Sequence, residues 1–253
     1  MRRFGLLGYP LSHSFSKGYF TEKFANEQIA DCMYENFPIP DISELAGILE
    51  QHTDLAGLNV TIPYKEKVIP FLHVQSEAVQ QVGACNCIDI RNGILTGYNT
   101  DVTGFELSMR PLLLPHHRKA LVLGTGGAAK AVHFVLNKLG IDYLEVSRTP
   151  TQDKNDLTES CIAYEQVTSA LLQTHHLLIN TTPLGMYPNA DTFPPLPYAA
   201  LTPQHYLFDL VYNPAVTAFL QKGIDNGAQV KNGADMLVIQ AEESWKIWNR
   251  KEV

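Results

Sequence analysis

The sequence predicts an α/β chain of two domains, the first built on a mixed sheet and the second on a parallel one. Three observations carry this. Short apolar runs of strand length alternate with longer amphipathic ones along nearly the whole chain. Asn92-Gly93 sits between two apolar runs, residues 84–90 and 94–98, which is the strongest short hairpin signal and makes the first sheet mixed. Gly124-Thr125-Gly126-Gly127-Ala128-Ala129 follows a strand-like run and opens a helix-like one, the β-turn-α-β context of a Rossmann-like dinucleotide-binding domain.

In the first half, residues 4–8 read as a buried strand broken by Tyr9-Pro10. Ser14 is placed to cap a helix that runs through Phe20 and Phe24. Residues 33–37 read as a strand, 42–49 as a helix and 55–61 as a third strand that ends at Ile62-Pro63-Tyr64-Lys65. A short helix is expected over 74–82, before the hairpin.

The second half starts with a helix over 102–114, for which Asp101 stands at the N-cap position. Strands are expected at 120–123, 143–147, 177–180, 207–210 and 229–230. Helices are expected from the glycine turn to Leu139, stopped by Gly140, and over 166–172, 216–223 and 234–249. Pro194-Pro195-Leu196-Pro197 reads as a rigid loop within this half.

Composition bounds the function. The chain has 253 residues, 45% hydrophobic and 18% charged, with a formal net charge of −7. That balance argues against a nucleic-acid partner, which needs basic surface. No apolar run is long enough to span a bilayer, and the N-terminus does not read as a signal peptide. Cys32, Cys85, Cys87 and Cys161 have poor zinc spacing and no secretory context, so they read as reduced thiols of a cytoplasmic protein, and no metal site is expected.

Several residues carry chemistry. Gly124 permits a tight turn, Gly126 lets a pyrophosphate approach the backbone, and Ala129 lets helix and strand pack closely. The helix N-terminus adds free N–H groups and a partial positive charge. After the next strand stands Ser147-Arg148-Thr149, not the Asp or Glu that an NAD ribose takes. The Arg148 guanidinium suits a 2′-phosphate, which favours NADP, while Glu145 lies too early in the strand to serve the ribose. Lys65, at a strand end, fits a proton donor or acceptor if an acid positions it, and otherwise an ordinary surface lysine. Ser14 and Ser16, at a helix start, suit a carboxylate or a plain cap. Asn86, between small residues, either faces a polar ligand or pairs with backbone, and Gln240 lies one turn beyond Met236 on the same helix face.

Taken together these segments resemble the shikimate dehydrogenase family, in order and over nearly the whole chain. They are Ser12–Ser16 as S-x-S, Asn59–Lys65 as N-V-T-I-P-Y-K, Gly83–Asn86, Asn99–Phe105 as N-T-D-V-T-G-F, the glycine turn, Ser147–Thr149, Asp209–Pro214 as D-L-V-Y-N-P, and Gly233–Gln240. The resemblance implies a substrate domain over residues 1–101, completed by the helix 234–253, an NADP domain over 102–233, and an active site in the cleft between them. It implies reversible reduction of 3-dehydroshikimate to shikimate by NADPH, within aromatic amino acid biosynthesis. Lys65 would be the acid/base, with Asp101 beside it. Ser14 and Ser16 would hold the carboxylate, Thr61, Asn86, Asp101 and Gln240 the ring hydroxyls, and Tyr212 would help seat the substrate. Gly124, Thr125, Gly126, Gly127, Ala128, Ala129, Ser147, Arg148 and Thr149 would hold NADP, with Leu210, Gly233 and Met236 at the nicotinamide and Glu77 approaching the cofactor.

The chain departs from the family pattern at a few places. Gln152 stands where a second basic residue is frequent, with Lys154 two residues on, and Cys85 and Cys87 replace common Val and Thr and are expected to act as small core residues. Thr125 and Ser147 replace a more usual alanine and asparagine. The rival expectations are a quinate/shikimate dehydrogenase with relaxed NAD or NADP use, and a non-catalytic NADP-binding regulator on the same fold. A monomer or homodimer is expected.

Overall fold

The computed structural model describes residues 1–11, 15–150 and 161–250. Two compact units emerge, Met1–Gly104 with Leu237–Val253, and Phe105–Met236.

The first unit contains β1 (Arg2–Gly8), α1 (Phe15–Asn26), β2 (Cys32–Pro38), α2 (Leu45–Gln51), β3 (Leu55–Val60), β4 (Val74–Gln75), α3 (Glu77–Val82), β5 (Cys87–Arg91) and β6 (Ile94–Tyr98). Helix α4 (Thr100–Met109) follows, and the division between units falls inside it. Among the described residues six strands form a mixed sheet in the order β2-β1-β3-β5-β6-β4. β1 runs parallel to β2 and β3, whereas β5 is antiparallel to both β3 and β6. The hairpin turns at Asn92 and Gly93, both with positive φ (51° and 76°), as a two-residue turn matching strand twist requires.

Two apolar layers hold this sheet. Leu7, Leu58, Val60, Ile88 and Leu95 pack with Leu45 of α2 and with Tyr64. Phe4, Leu6, Tyr34 and Cys87 pack with Phe20 and Phe24 of α1 and with Ala241 and Trp248 of the last helix. Trp248 stacks on Phe4 with ring centroids 4.7 Å apart and donates from Nε1 to the Ile88 carbonyl at 2.9 Å.

The second unit adds β7 (Lys119–Leu123), α5 (Gly127–Leu139), β8 (Asp142–Ser147), β9 (Cys161–Ala163), α6 (Ser169–Leu172), β10 (Leu177–Asn180), β11 (Tyr206–Asp209), α7 (Ala218–Asp225) and β12 (Gln229–Asn232), and the last helix, α8 (Ala234–Asn249), belongs to the first unit from Leu237 onward. Its six described strands pair in parallel in the order β12-β11-β10-β7-β8-β9. Numbered from β7, this is the 3-2-1-4-5-6 order of a doubly wound dinucleotide-binding sheet, and the switch point lies between β7 and β10. Gly140, with φ 64°, ends α5 in the left-handed conformation expected of it.

Some local expectations change. Residues 74–82 are not one helix: Val74 and Gln75 pair with Thr96 and Gly97 as a short strand, and α3 begins after Ser76, whose hydroxyl accepts from Val79 N. The helix expected over 102–114 starts earlier, at Thr100, and gives way at Arg110–Leu112 to a 3-10 turn containing Pro111, whose missing N–H cannot continue it. Asp101 is therefore not the cap. Asn99 fills that place, its Oδ1 accepting from Val102 N at 3.4 Å. Residues 166–172 divide into a 3-10 turn, Tyr164–Gln166, and the short α6, capped by Thr168. Residues 216–217 precede α7, with Thr217 as its cap. The edge strand β9 had no separate signal, because three residues are too few for periodicity.

Candidate active site

The catalytic candidates meet in the first unit. Lys65 Nζ donates to Asp101 Oδ2 at 2.7 Å, with both side chains about one-third exposed (35% and 31%). The chain around Lys65 is fixed on both sides. Buried Tyr64 donates from its hydroxyl to the Ile39 carbonyl at 2.6 Å, and the Lys65 carbonyl accepts from Cys85 N at 2.7 Å. Asp101 sits in the first turn of α4, where the helix dipole favours a carboxylate. Because Asn99 caps the helix, with its Nδ2 held by the Ala84 carbonyl at 2.9 Å, the Asp101 carboxylate is left to the lysine.

Asn86 and Gln240 come to the same helix start. Asn86 lies just before β5 rather than inside a strand; its Oδ1 accepts from Thr100 N at 2.6 Å and from Thr100 Oγ1 at 3.2 Å. That fixes the amide and leaves Nδ2 as its donor side. Thr100 Oγ1 also lies 3.5 Å from Gln240 Oε1. Thr61, at the end of β3, donates its N–H to the Leu7 carbonyl at 2.9 Å. Ser16 is in the first turn of α1 and hydrogen-bonds with Tyr34. Ser14 lies outside the described residues.

Sequence reasoning missed the buried polar chain behind these groups. Tyr34 donates to Asn59 Oδ1 at 2.9 Å, Asn59 Nδ2 donates to Ser244 Oγ at 2.9 Å, and Ser244 donates to the Gln240 carbonyl at 2.9 Å. The available signal was an asparagine inside an otherwise apolar strand, since buried polar groups need partners. Burial pushes the Tyr34 phenol well above its ordinary value, so it remains a donor. Cys85 and Cys87 are fully buried, and burial pushes the Cys85 thiol up to about 12. Glu77 is exposed in the first turn of α3, its carboxylate accepting from Gln81 at 3.0 Å.

The cofactor candidates gather in the second unit, at the carboxyl ends of its strands. Gly124 has φ 107°, and a Cβ there would come within 2.8 Å of Thr181 Oγ1 and 2.9 Å of Thr182 Cγ2. Gly126 is the N-cap of α5 and offers no side-chain cap, so the N–H groups of Gly127 and Ala128 are open to an anion, while Ala129 N donates to the Gly126 carbonyl at 2.9 Å. Thr125, Gly127 and Ala128 are on the outside of this turn, and Ala129 is buried against the sheet. This donor set fits a pyrophosphate. Ser147 Oγ accepts from Thr149 N at 3.2 Å, which turns the chain so that Arg148 is exposed. Glu145 lies inside β8 with its Oε1 3.0 Å from His133 Nε2 and its side chain mostly buried. Gln152 and Lys154 lie outside the described residues.

Leu210 follows β11, and its N–H donates to the Asn180 carbonyl at 3.0 Å. Gly233 packs so close that a Cβ would come within 2.7 Å of the Leu210 carbonyl oxygen. Tyr212 is about half exposed in the same loop, and Met236 is partly buried in the first turn of α8. No described helix is long and apolar enough to cross a membrane.

Comparison with known proteins gives this arrangement a family. Residues 6–88 match the family model described as the shikimate dehydrogenase substrate binding domain. A shikimate dehydrogenase (NADP(+)) of Oleidesulfovibrio alaskensis is 37% identical over 99% of this chain and 90% of its own. The Listeria monocytogenes shikimate 5-dehydrogenase, solved with shikimate and NAD, superposes with a TM-score of 0.89 at 27% identity, covering 100% of this chain and 93% of that one. The Thermus thermophilus enzyme, solved with NADP(H) and shikimate, gives 0.83 at 31% identity, covering 98% and 94%. With relatives this similar over almost its full length, the chain belongs to the shikimate dehydrogenase family.

Proposed function

We propose that the protein is an NADP-dependent shikimate dehydrogenase that reversibly reduces 3-dehydroshikimate to shikimate in aromatic amino acid biosynthesis. The observation that carries the reading is the Lys65–Asp101 pair at 2.7 Å in a chain that also presents an uncapped glycine turn on a doubly wound sheet.

NADPH, when bound, supplies the hydride. Lys65 Nζ gives a proton to the C3 oxygen as negative charge develops there, and takes it back in the reverse direction. The Asp101 carboxylate accepts one Nζ proton, which aims the others and keeps the ammonium in place. Asn86 donates from Nδ2 to a ring hydroxyl, with Thr61 and Gln240 as further hydroxyl partners. Ser14 and Ser16 take the carboxylate, and Tyr212 helps seat the ring. The turn from Gly124 to Ala129 receives the pyrophosphate, and Arg148, with Ser147 and Thr149, takes the 2′-phosphate. Leu210, Gly233 and Met236 border the nicotinamide, and Glu77 approaches the cofactor. The domains assigned to these roles are 1–101 with 234–253, and 102–233.

The reading extends to a cytoplasmic monomer or homodimer with small-molecule ligands and no nucleic-acid partner, supported by the net charge of −7. A second reading concerns cofactor and substrate range. The Listeria neighbour was solved with NAD, which makes relaxed NAD use the nearest competitor, and activity on quinate is tested beside it. Steady-state rates on shikimate and quinate with each cofactor separate them. A clear preference for shikimate with NADP supports the main reading, and equal or better rates with quinate or NAD replace it with the second.

A further inference from the structure

Asp209 ends β11 with no solvent exposure, and its carboxylate gathers three donors. Oδ1 accepts from Asn180 Nδ2 at 2.9 Å and from Val211 N at 3.0 Å, and Oδ2 accepts from Thr217 Oγ1 at 2.5 Å. The partners come from three elements: Asn180 ends β10, Val211 belongs to the loop after β11, and Thr217 caps α7. The parallel register sets Asn180 beside Asp209, so the clamp bridges neighbouring strand ends. Asn180 carries the contact further. Its Oδ1 accepts from Thr182 N at 3.0 Å and Thr182 Oγ1 at 2.6 Å, and Thr181 and Thr182 are the residues that a Cβ on Gly124 would meet, with Thr181 Oγ1 donating to the Leu123 carbonyl at 2.8 Å. On the other side, the Leu210 carbonyl held next to this clamp is the one against Gly233. A continuous line of contacts thus runs along the carboxyl edge of the sheet, from the glycine turn to the loop of residues 210–212.

From this geometry we infer that Asp209 is a positioning residue for the dinucleotide, its carboxylate holding residues 210–212 and, through Asn180, residues 181–182 under the glycine turn. The inference rests on the reading that this unit binds NADP. A purely structural role explains the residue less well. Burial raises the Asp209 pKa from 3.8 to about 6, against the hydrogen bonds from Thr217, Val211 and Asn180, which lower it. A group shifted upward in this way contributes its full stability below its ordinary value and loses it as pH rises through about 6. At neutral pH the carboxylate therefore costs the fold stability, and what it supplies there is acceptance from three donors on three elements. Among ionisable groups on the packed elements, the Tyr198 phenol feels the Asp209 charge, and Lys222 of α7 lies over the Tyr198 ring at 5.2 Å.

Protonation changes the clamp. A proton on Oδ2 would face Thr217 Oγ1 and reverse that hydrogen bond, leaving a group like the side chain of asparagine. The test measures NADPH dissociation constants by nicotinamide fluorescence from pH 5 to 8, for wild type and Asp209→Asn. The ratio of variant to wild type at each pH cancels the titration of the ligand's own phosphate. The ratio is expected to be roughly tenfold at pH 7.5, the size of one lost charged hydrogen bond, and to fall toward one as wild-type Asp209 protonates. A ratio that is constant across the range, or one at every pH, overturns the inference, even if Asp209→Asn melts earlier.

Thr217→Val serves if Asp209→Asn does not fold. Losing the Thr217 donor moves the wild-type inflection to higher pH, and an unmoved inflection overturns the assignment. Wild-type protein that binds no NADPH removes the functional reading itself and the inference with it. Wild-type protein that binds NADPH while the variants behave alike removes the inference alone.

Discussion

Lys65 Nζ lies 2.7 Å from Asp101 Oδ2, a lysine at the end of a strand meeting an acid in the first turn of a helix. With both side chains one-third exposed, the pair contributes little to stability, about 0–1 kcal/mol. Its use is orientation. Lys65→Ala is expected to lower kcat by roughly 10²–10⁴ while the KM for shikimate changes little. Retention of most of the turnover would remove Lys65 from the proton transfer.

Asp101→Asn isolates the second half of the pair. Asn99, not Asp101, caps α4. The substitution therefore leaves the cap intact, and the loss of the roughly 0.5–2 kcal/mol that a missing cap costs is not expected. Turnover falls at least tenfold while Tm stays within a degree or two. Circular dichroism melts beside steady-state rates check this, and a large drop in Tm with normal kcat would return Asp101 to a structural role.

Gly124 is expected to tolerate no side chain. Its φ of 107° is strained for any L-residue, and a Cβ would press on Thr181 and Thr182. Gly124→Ala should weaken NADPH binding at least tenfold and leave shikimate affinity within twofold, as isothermal titration with each ligand would read. Loss of both affinities together would indicate general unfolding.

Arg148 is exposed just after β8. Arg148→Ala should raise the KM for NADP about tenfold or more and leave the KM for NAD nearly unchanged, since only NADP carries the 2′-phosphate. An equal effect on both cofactors would place Arg148 elsewhere.

A group of histidines lies at the amino ends of the strands of the second unit. His116, His117, His176 and His205 form a chain of ring contacts with centroids 4.3–5.6 Å apart. Burial lowers the pKa of His117, His175, His176 and His205 below 6.5. Nδ1 of His117 accepts from Leu114 N, and Nδ1 of His205 accepts from Thr202 N, so a proton there breaks a hydrogen bond. Folded-state values below the unfolded value mean that stability is full above pH 6.5 and is lost as pH falls through the lowered values. Tm should decline from pH 7.5 to pH 5.5, and His205→Gln should flatten that decline. Asp209 acts in the opposite direction in the lower part of this range. A pH dependence of Tm that His205→Gln leaves unchanged would remove His205 as its source.

Much of this was legible in the sequence. Strand β10 and helix α8 fall on the residues that apolar periodicity and the flanking turn residues indicate. The glycine turn announces α5 because its chemistry is local. Local propensity misplaced the cap of α4, since Asp101 and Asn99 are both good N-caps and tertiary contacts choose between them. Asn99 is taken because the Ala84 carbonyl holds its amide and Lys65 draws the Asp101 carboxylate away. The Asp209 clamp was not legible. Asn180, Asp209 and Thr217 meet through the register of two parallel strands and the entry of α7, and no spacing along the chain encodes that meeting.

The measurement closest to the central claim is NADPH formation from shikimate, followed at the absorbance of the reduced nicotinamide, for wild type and Lys65→Ala, with NAD in parallel. The account predicts rapid reduction of NADP by wild type, slower reduction of NAD, and near-loss of both in the variant. Wild-type protein that binds NADPH but turns over neither shikimate nor quinate would contradict it.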